Sequence, residues 1–284
     1  MLKKEITGVL KDRRSNIFIA IIFALMMADV VMAYFQYNVS DLRSHEEEIK
    51  AADKIYLEEA AEEGYHYVTG WIIHPACASY LSGATHGHLP QILILWLLPL
   101  YVLNIYSDKS ISEYNRGYKN AVFMRTGKYR YLRAKILVSF IIPFVVMAVC
   151  LFVNFGLTQI AFHGGYGFRG AEYGVRNTWS EFVYLYPNVT YCIYILLSSL
   201  AAGCCGVICQ SLAMVFKKYS TVYVASFFVW LVLMIIKYPV IDIFQPFTSD
   251  YLKPVGMAGL ILGAVTIVIL IVMVVIKEIK KDEL

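Results

Sequence analysis

Charged residues are scarce in this sequence, and their scarcity argues against a soluble globular protein. Only 16% of the 284 residues are charged, whereas 59% are hydrophobic and the mean hydropathy is +0.59. A soluble domain usually carries about a quarter charged residues. The apolar residues are also gathered into long runs, and ~20 helical residues are enough to cross the ~30 Å hydrocarbon core of a bilayer. The composition therefore predicts an all-α, polytopic membrane protein.

Cysteines that could pair outside the apolar runs are also missing. Five of the six cysteines fall inside those runs, and only Cys77 lies outside them. A single exterior cysteine has no partner, so the sequence predicts no disulfide framework. Cys204 and Cys205 point in different directions on a helix, and we expect them to pack as small apolar residues instead of binding a metal ion.

The sequence also lacks the motifs of an ATP-hydrolysing or hydrolytic enzyme. No G-x-x-x-x-G-K-[ST] sequence occurs, because Gly127-Lys128 is followed by Tyr129 and has no earlier glycine at the required position. Neither H-E-x-x-H nor G-x-S-x-G is present. We expect the chain not to be an enzyme by itself and to bind no cofactor of its own.

The apolar runs predict six membrane-spanning helices. Helices are the favoured spanning form because backbone groups in lipid must hydrogen-bond within their own segment. The apolar residues Trp71–Tyr80, which precede the second span, either lengthen it or form a re-entrant segment. The six predicted spans are Ile17–Phe35, Gln91–Tyr106, Ile136–Phe155, Val189–Val215, Val222–Ile241 and Val255–Ile276.

The charges that flank these spans are strongly asymmetric. Residues 1–16 carry a net charge of +3 and the connection 107–135 a net charge of +6, whereas residues 37–88 carry −6. Lys and Arg are retained on the cytoplasmic side of membrane proteins. The sequence therefore predicts that both termini and the 107–135 connection lie in the cytoplasm.

The 107–135 connection contains a pattern of its own besides its charge. Ser110 and Glu113 form an S-x-x-E capping box, which predicts a helix that begins near Ile111. Gly127 is predicted to end this segment before a second, basic helix. Binding to lipid headgroups and the orientation of the chain in the membrane explain the cations. They do not explain a capped helix with an aromatic stripe. Residues at helical spacing predict that stripe: Ile111, Tyr114, Tyr118 and Val122.

These features together resemble the ABC-2 type permeases, the membrane-spanning subunits of ATP-driven exporters. The signature of that family runs, after the second span, from an acidic residue to a glycine four positions later and on to a lysine that opens the third span. Glu113, Gly117 and Lys135 follow this order. Family members often carry a proline midway, where this chain has Arg125-Thr126-Gly127. The amphipathic N-terminal segment, residues 1–16, matches the interfacial elbow helix of the family.

The resemblance implies a single transmembrane domain over residues 1–284, with a coupling helix at Ser110–Met124 that docks on a separate ATPase subunit. ATP and Mg would be bound by that partner. The other expected partners are a second permease copy or paralogue and membrane lipid, and no nucleic acid is expected. The expected location is the plasma membrane of a bacterium. The expected docking residues are Ile111, Glu113, Tyr114, Arg116, Gly117 and Tyr118.

Two other classes of protein remain open at this stage. A secondary transporter marks its pathway with ionisable residues inside spans, and Asp29 is one; we expect it to face the protein interior or a dimer seam. An intramembrane metal-dependent enzyme is the third hypothesis. It would use the histidines of the second half of the 37–88 segment: His74, His86 and His88.

The cargo is predicted only as a class. The spans are rich in aromatic residues and poor in charge, which suits a hydrophobic or amphipathic molecule such as a peptide. The 37–88 segment contains a predicted acidic helix. That helix either caps the exit for cationic or amphipathic cargo or is an ordinary solvated helix face.

Overall fold

The structure is a computed structural model, and its regular elements are all helical within the residues that it describes. These are residues 2–38, 75–82, 89–116, 127–163, 186–216, 218–244 and 252–279, with a few isolated positions between them. The helices, in chain order, are α1 (Leu2–Leu10), α2 (Arg13–Asn38), α3 (Pro75–Ala78), α4 (Leu89–Val102), α5 (Asp108–Asn115), α6 (Lys128–Ala161), α7 (Pro187–Val215), α8 (Tyr219–Ile235), α9 (Ile241–Phe244) and α10 (Leu252–Ile279). A 3-10 turn at Tyr80–Ser82 follows α3, and a π-helical turn at Leu103–Ser107 joins α4 to α5.

Among the residues that the structure describes, five helices are long and apolar enough to cross a membrane, so the chain is a helical multi-pass membrane protein. They are α2, the continuous helix from Leu89 to Glu113, α6, α7 and α10. The helix α8 is apolar but has 17 residues, about 25 Å. It is shorter than the predicted span Val222–Ile241 because the chain turns after Ile235, where the Val240 N–H donates to the Leu233 carbonyl at 2.9 Å. The six-span count therefore stays a prediction.

The elbow segment predicted for residues 1–16 is shorter in the structure. The helix α1 ends at Leu10, and the first long helix already begins at Arg13. The Asp12 carboxylate caps α2 by accepting the backbone N–H of Ser15 at 3.2 Å.

The helix predicted to begin near Ile111 does not begin there. The second span continues without a break through the π-helical turn and α5 to Asn115. The Ser110 hydroxyl accepts a hydrogen bond from Gln210 Nε2 at 2.8 Å. The capping-box prediction was wrong, since Ser110 lies inside a continuous helix and its side chain bonds a residue 100 positions away. The helix predicted to follow Gly127 is confirmed, since α6 begins at Lys128.

The antiparallel pair α6 and α7 forms the centre of the bundle. Near the C-terminal end of α6, the ring of Phe155 stacks on that of Tyr191, with the ring centroids 4.5 Å apart. Further along, Gly206 lies directly against the Ser139 carbonyl, and a Cβ at this position would overlap that oxygen. Pro143 has no N–H to bond the Ser139 carbonyl within the helix, so this carbonyl is free to project toward α7. The two helices can approach this closely because residue 206 has no side chain.

A second proline creates a contact between α4 and α8. Pro99 lies inside α4 and cannot donate to the Leu95 carbonyl one turn earlier. The indole N–H of Trp230 donates to that carbonyl at 2.9 Å. The buried Trp230 side chain therefore replaces a missing helix hydrogen bond and fixes α8 against α4.

Candidate functional site

The buried amine of Lys135 joins three helices at one end of the bundle. Its Nζ lies 2.9 Å from Glu113 Oε2 of α5 and 3.0 Å from Glu5 Oε2 of α1. The lysine side chain is 0% exposed, and the side chains of Glu113 and Glu5 are 12% and 14% exposed. Burying a lone ammonium costs several kcal/mol. The two carboxylates offset that cost, and they hold α1 and α5 against α6.

Two tyrosines complete this site, which we call the Lys135 cluster: Lys135, Glu5, Glu113, Tyr106 and Tyr131. The Tyr131 hydroxyl donates to Glu113 Oε2 at 2.9 Å, and the Tyr106 hydroxyl donates to Glu5 Oε2 at 3.3 Å. The Lys135 amine also lies over both rings, 5.3 Å from the Tyr106 centroid and 5.5 Å from the Tyr131 centroid. Both rings therefore add cation–π attraction to the ion pairs. Charge-assisted bonds of this kind make the cluster a rigid joint.

A second cluster of polar side chains joins α2 and α8 to the same end of the bundle. Arg14 Nη1 lies 3.0 Å from Asp108 Oδ2, and its Nη2 donates to Asn104 Oδ1. The Tyr223 hydroxyl donates to Asp108 Oδ2 at 2.9 Å. These contacts surround the junction between the π-helical turn of the second span and α5. We call this the inner end, in line with the predicted orientation.

The loop that precedes α2 contains a carboxylate with a perturbed pKa. The Asp12 pKa lies below its usual value, chiefly because the Ser15 hydroxyl donates to it. The backbone N–H groups of Ser15 and Arg14 also favour the ionised form, as does the nearby Lys109 charge, while partial burial opposes them. The charged cap thus stabilises the first turn of α2.

The predicted docking residues do not form a single exposed surface. Ile111 is 0% exposed and belongs to the core, so its assignment to an exposed stripe was wrong. Helical spacing shows which residues share a face but not whether that face points outward. Glu113 bonds Lys135 instead of extending to the rim. Arg116 is exposed, whereas Gly117, Tyr118 and the side chain of Tyr114 lie outside the described residues.

The opposite end of the bundle, which we call the outer end, is held by neutral hydrogen bonds. Asn154 of α6 donates from Nδ2 to the Met26 carbonyl of α2 at 2.8 Å. Its Oδ1 accepts the backbone N–H of Tyr80 at 3.1 Å. The hydroxyls of Ser79 and Thr158 lie 2.7 Å apart. A short segment, residues 75–82, is thereby inserted between α2 and α6.

The same segment is bonded to α7 and α4. The Tyr191 hydroxyl accepts the Leu81 backbone N–H at 3.0 Å. The Tyr80 hydroxyl donates to the Gln91 carbonyl at 3.3 Å, and Gln91 Nε2 donates to the Phe244 carbonyl at 3.2 Å. Tyr80 and Leu81 are both almost fully buried. Of the two interpretations left open for Trp71–Tyr80, the described part therefore favours the re-entrant segment.

Asp29 lies in the same region and faces the protein interior, as expected. The residue is 1% exposed, and it sits about one turn from Met26 along α2. A role for Asp29 in a pathway or at a dimer seam stays a prediction.

The remaining expected features fall outside the described residues. Most of the acidic 37–88 segment does, including His74, His86 and His88. In the part of the chain that the structure does describe, no group of three or more His, Cys, Asp or Glu side chains could hold a metal ion. The metal-enzyme hypothesis gains no support from those residues.

Sequence reasoning missed several of the polar residues that hold the inner and outer ends of the bundle together. Glu5 is the only acidic residue in an otherwise basic N-terminal helix, and this isolation is a usable signal. Asn154 and Thr158 are polar residues four positions apart within an apolar run, so they share one face of a buried helix. Intramembrane polar residues generally mark an interior-facing side.

Comparison with known proteins finds a similarity over most of the chain. Over 213 residues the chain is 34% identical to the Bacillus subtilis (strain 168) protein described as "Uncharacterized protein YybM", covering 74% of this chain and 84% of that protein. No family model matches the chain. No solved structure matches it either.

Proposed function

We propose an export function for this chain, which belongs to the same family as YybM of Bacillus subtilis. The chain is the membrane-spanning subunit of an ATP-driven exporter of the ABC-2 type. It forms the translocation pathway, works with a second copy or a paralogue, and relies on a separate subunit for ATP hydrolysis.

The observation that carries this proposal is the Lys135 cluster. Glu113 and Lys135 are two of the residues on which the resemblance to ABC-2 permeases rests, and their side chains meet at 2.9 Å. Glu5 of the N-terminal helix joins them. An ATPase that moves the segment after Glu113 would therefore move α1 and α6 with it. Buried ion pairs suit such a joint because separating them leaves uncompensated charges.

The surface offered to the ATPase is the polypeptide that follows the second span. Arg116 is exposed at the end of α5. In this proposal Tyr114 and Tyr118 supply the apolar anchors of the interface, and Arg116 supplies a contact at its rim. Ile111 and Glu113 act from inside by holding the segment to the bundle.

The cargo in this proposal is a hydrophobic or amphipathic molecule, with an amphipathic peptide as the leading class. The long helices present apolar side chains where they are exposed, as Phe152 and Leu157 of α6 do. Ionisable residues are few inside the spans. Spans of this composition suit a cargo that partitions into the bilayer better than they suit a free ion.

The test is co-purification with ATPase measurements. The chain purified alone is expected to show no ATP hydrolysis. When it is purified gently from its native membrane, it is expected to retain a soluble ATP-binding subunit. Truncating both anchors, Tyr114→Ala with Tyr118→Ala, should detach that subunit or uncouple it, because buried aromatic anchors commonly contribute about 2 kcal/mol or more. Arg130→Gln is the control and should have little effect. Robust ATP hydrolysis by the chain alone would refute the proposal.

A secondary transporter is the second candidate, and the burial of Asp29 is the observation that favours it. A carboxylate inside a span costs about 2.5–3.5 kcal/mol on insertion scales, and transporters use such groups to couple ion movement. This function predicts transport that persists without ATP and that Asp29→Asn abolishes. The exporter predicts transport that stops when ATP is removed.

A further inference from the structure

The inserted segment 75–82 has features of a movable element, and we propose that it is a gate. It closes the outer end of the translocation pathway by filling the space between α2, α4, α6 and α7. When it leaves, Asn154, Thr158 and Asp29 become accessible to water on the outer side. This inference rests on the proposed transport function for its purpose, although its structural part can be tested separately.

The segment is held by other helices and hardly by itself. Its α-helix has four residues and its 3-10 turn three, and helices this short are not stable alone. Two of its backbone N–H groups, those of Tyr80 and Leu81, donate to the side chains of Asn154 and Tyr191. A backbone at membrane depth must have such partners. Here the partners are side chains of helices that can stay in place when the segment leaves.

The bonds that hold the segment can be exchanged with water at low cost. Each of its bonds to α6 and α7 joins two neutral groups. A neutral hydrogen bond contributes little net stability, because water takes the place of the lost partner when the site opens. The Lys135 cluster at the inner end is ionic and buried, so separating its members within the bundle would leave buried charges without partners. The outer contact is the one that can open and close readily.

The surface beneath the segment contains several polar side chains. Asn154 and Thr158 are 0% exposed and Asp29 is 1% exposed. Polar groups are costly inside a membrane and mark the routes of polar or charged groups through it. The polar surface is favourable once water or cargo reaches it in the open state.

Hydrogen–deuterium exchange of the full-length chain in lipid nanodiscs tests whether the segment opens. Tyr191→Phe removes the acceptor of the Leu81 N–H and keeps the ring that stacks on Phe155. We expect the peptide that contains residues 75–82 to exchange roughly fivefold faster in this variant, the size expected for one neutral hydrogen bond. Ser199→Ala is the matched control, because the Ser199 hydroxyl donates to the Ile195 carbonyl of its own helix at 2.6 Å.

Thiol accessibility tests whether opening reaches the outer side. In a chain without its native cysteines, Thr158→Cys in sealed vesicles is expected to react with a charged, membrane-impermeant methanethiosulfonate added outside. The reaction should be several times faster when Tyr191→Phe is also present. Ser211→Cys is the control, because Ser211 is equally buried near the inner end and should stay unreactive.

The outcomes separate the gate from a fixed wedge. Exchange in Tyr191→Phe equal to that in Ser199→Ala would overturn the gate. The gate would also be overturned if the thiol of Thr158→Cys proved as unreactive as the thiol of Ser211→Cys. Neither measurement needs an ATPase or a cargo. The gate can therefore fail while an ATP-binding partner still co-purifies with the chain, and the exporter assignment can fail while the segment still opens.

Discussion

The two ends of the bundle are held together by different chemistry. At the inner end, Lys135 bonds Glu5 and Glu113, so charged groups join helices far apart in sequence. At the outer end, Asn154 and Tyr191 hold the inserted segment through neutral hydrogen bonds. Separating buried charges is costly, whereas neutral groups exchange their partners for water. The inner end is therefore built to move as one body and the outer end to come apart.

The largest effect that tests this contrast is expected at Lys135. Lys135→Met leaves two carboxylates at the inner end without their cation, and loss of one partner of a buried ion pair costs about 3–5 kcal/mol. The free energy of unfolding in detergent should fall by that amount. Arg133→Met is the control, because Arg133 is exposed on the same helix and should change stability by less than about 0.5 kcal/mol.

A combined variant sharpens the same test. Adding Glu5→Gln and Glu113→Gln to Lys135→Met removes the uncompensated charges, and much of the lost stability should return. Loss of stability in Lys135→Met no larger than in Arg133→Met would contradict the view of the inner end as an ionic joint.

The next effect is expected at Gly206, where α6 and α7 connect the two ends. Gly206→Ala would bring a Cβ into the Ser139 carbonyl oxygen, and a backbone atom cannot yield as a side chain does. Forcing extra volume into a packed contact costs about 1–3 kcal/mol. Both ends should loosen together, visible as faster hydrogen exchange near Lys135 and near Tyr80.

Gly259 supplies the matched control for that substitution. A Cβ at Gly259 of α10 meets nothing within 4 Å, so Gly259→Ala should be neutral or stabilise by up to about 1 kcal/mol through helix propensity. Equal thermal stability of the two alanine variants would show that the close approach of α6 and α7 does not matter.

An effect of similar size is expected at Trp230, midway between the ends. Trp230→Phe keeps an aromatic ring and removes the N–H that bonds the Leu95 carbonyl, which Pro99 leaves without a helix partner. An unsatisfied buried acceptor costs about 1–3 kcal/mol. Trp96→Phe is the control, because Trp96 lies next to Leu95 on α4 and is 38% exposed. Identical unfolding midpoints for the two variants would contradict this account.

The smallest effect is expected at Asp12, and it depends on pH. Removing the cap with Asp12→Ala should cost about 1 kcal/mol near neutral pH. The Asp12 pKa is lowered in the folded protein, chiefly by the Ser15 hydroxyl. Its contribution is therefore present above the unfolded pKa of about 3.9 and is lost as the pH falls through the lower folded value.

Asp12→Asn separates the cap from its charge. Asparagine also caps helices, so this variant should retain most of the stability at neutral pH and lose the dependence on pH. Unfolding midpoints measured from about pH 6 to about pH 3 would show converging curves for the wild type and Asp12→Ala. Parallel curves would mean that the Asp12 charge plays no part.

The positions of the long helices were predictable from the sequence. Where each helix is continuous, and which of its sides faces the interior, were not. The run Ile17–Phe35 lies inside α2 and the run Val189–Val215 inside α7. The break expected at Ile111 is absent, and Ser110, which was expected to cap there, bonds Gln210 of another helix. Local capping signals compete with tertiary partners, and a local pattern contains no information about the competitor.

The sequence by itself determined the class of the protein, because hydrocarbon thickness dictates the length and composition of a spanning helix. Its apolar runs were sufficient to place five helices that are long enough to cross a membrane. Only the tertiary structure decided which polar groups meet. Glu5 and Lys135 are 130 residues apart, and Tyr80 and Asn154 are 74 apart. Such pairings follow from how the helices pack around α6 and α7, since a buried polar group must find its partner among the side chains that packing brings near.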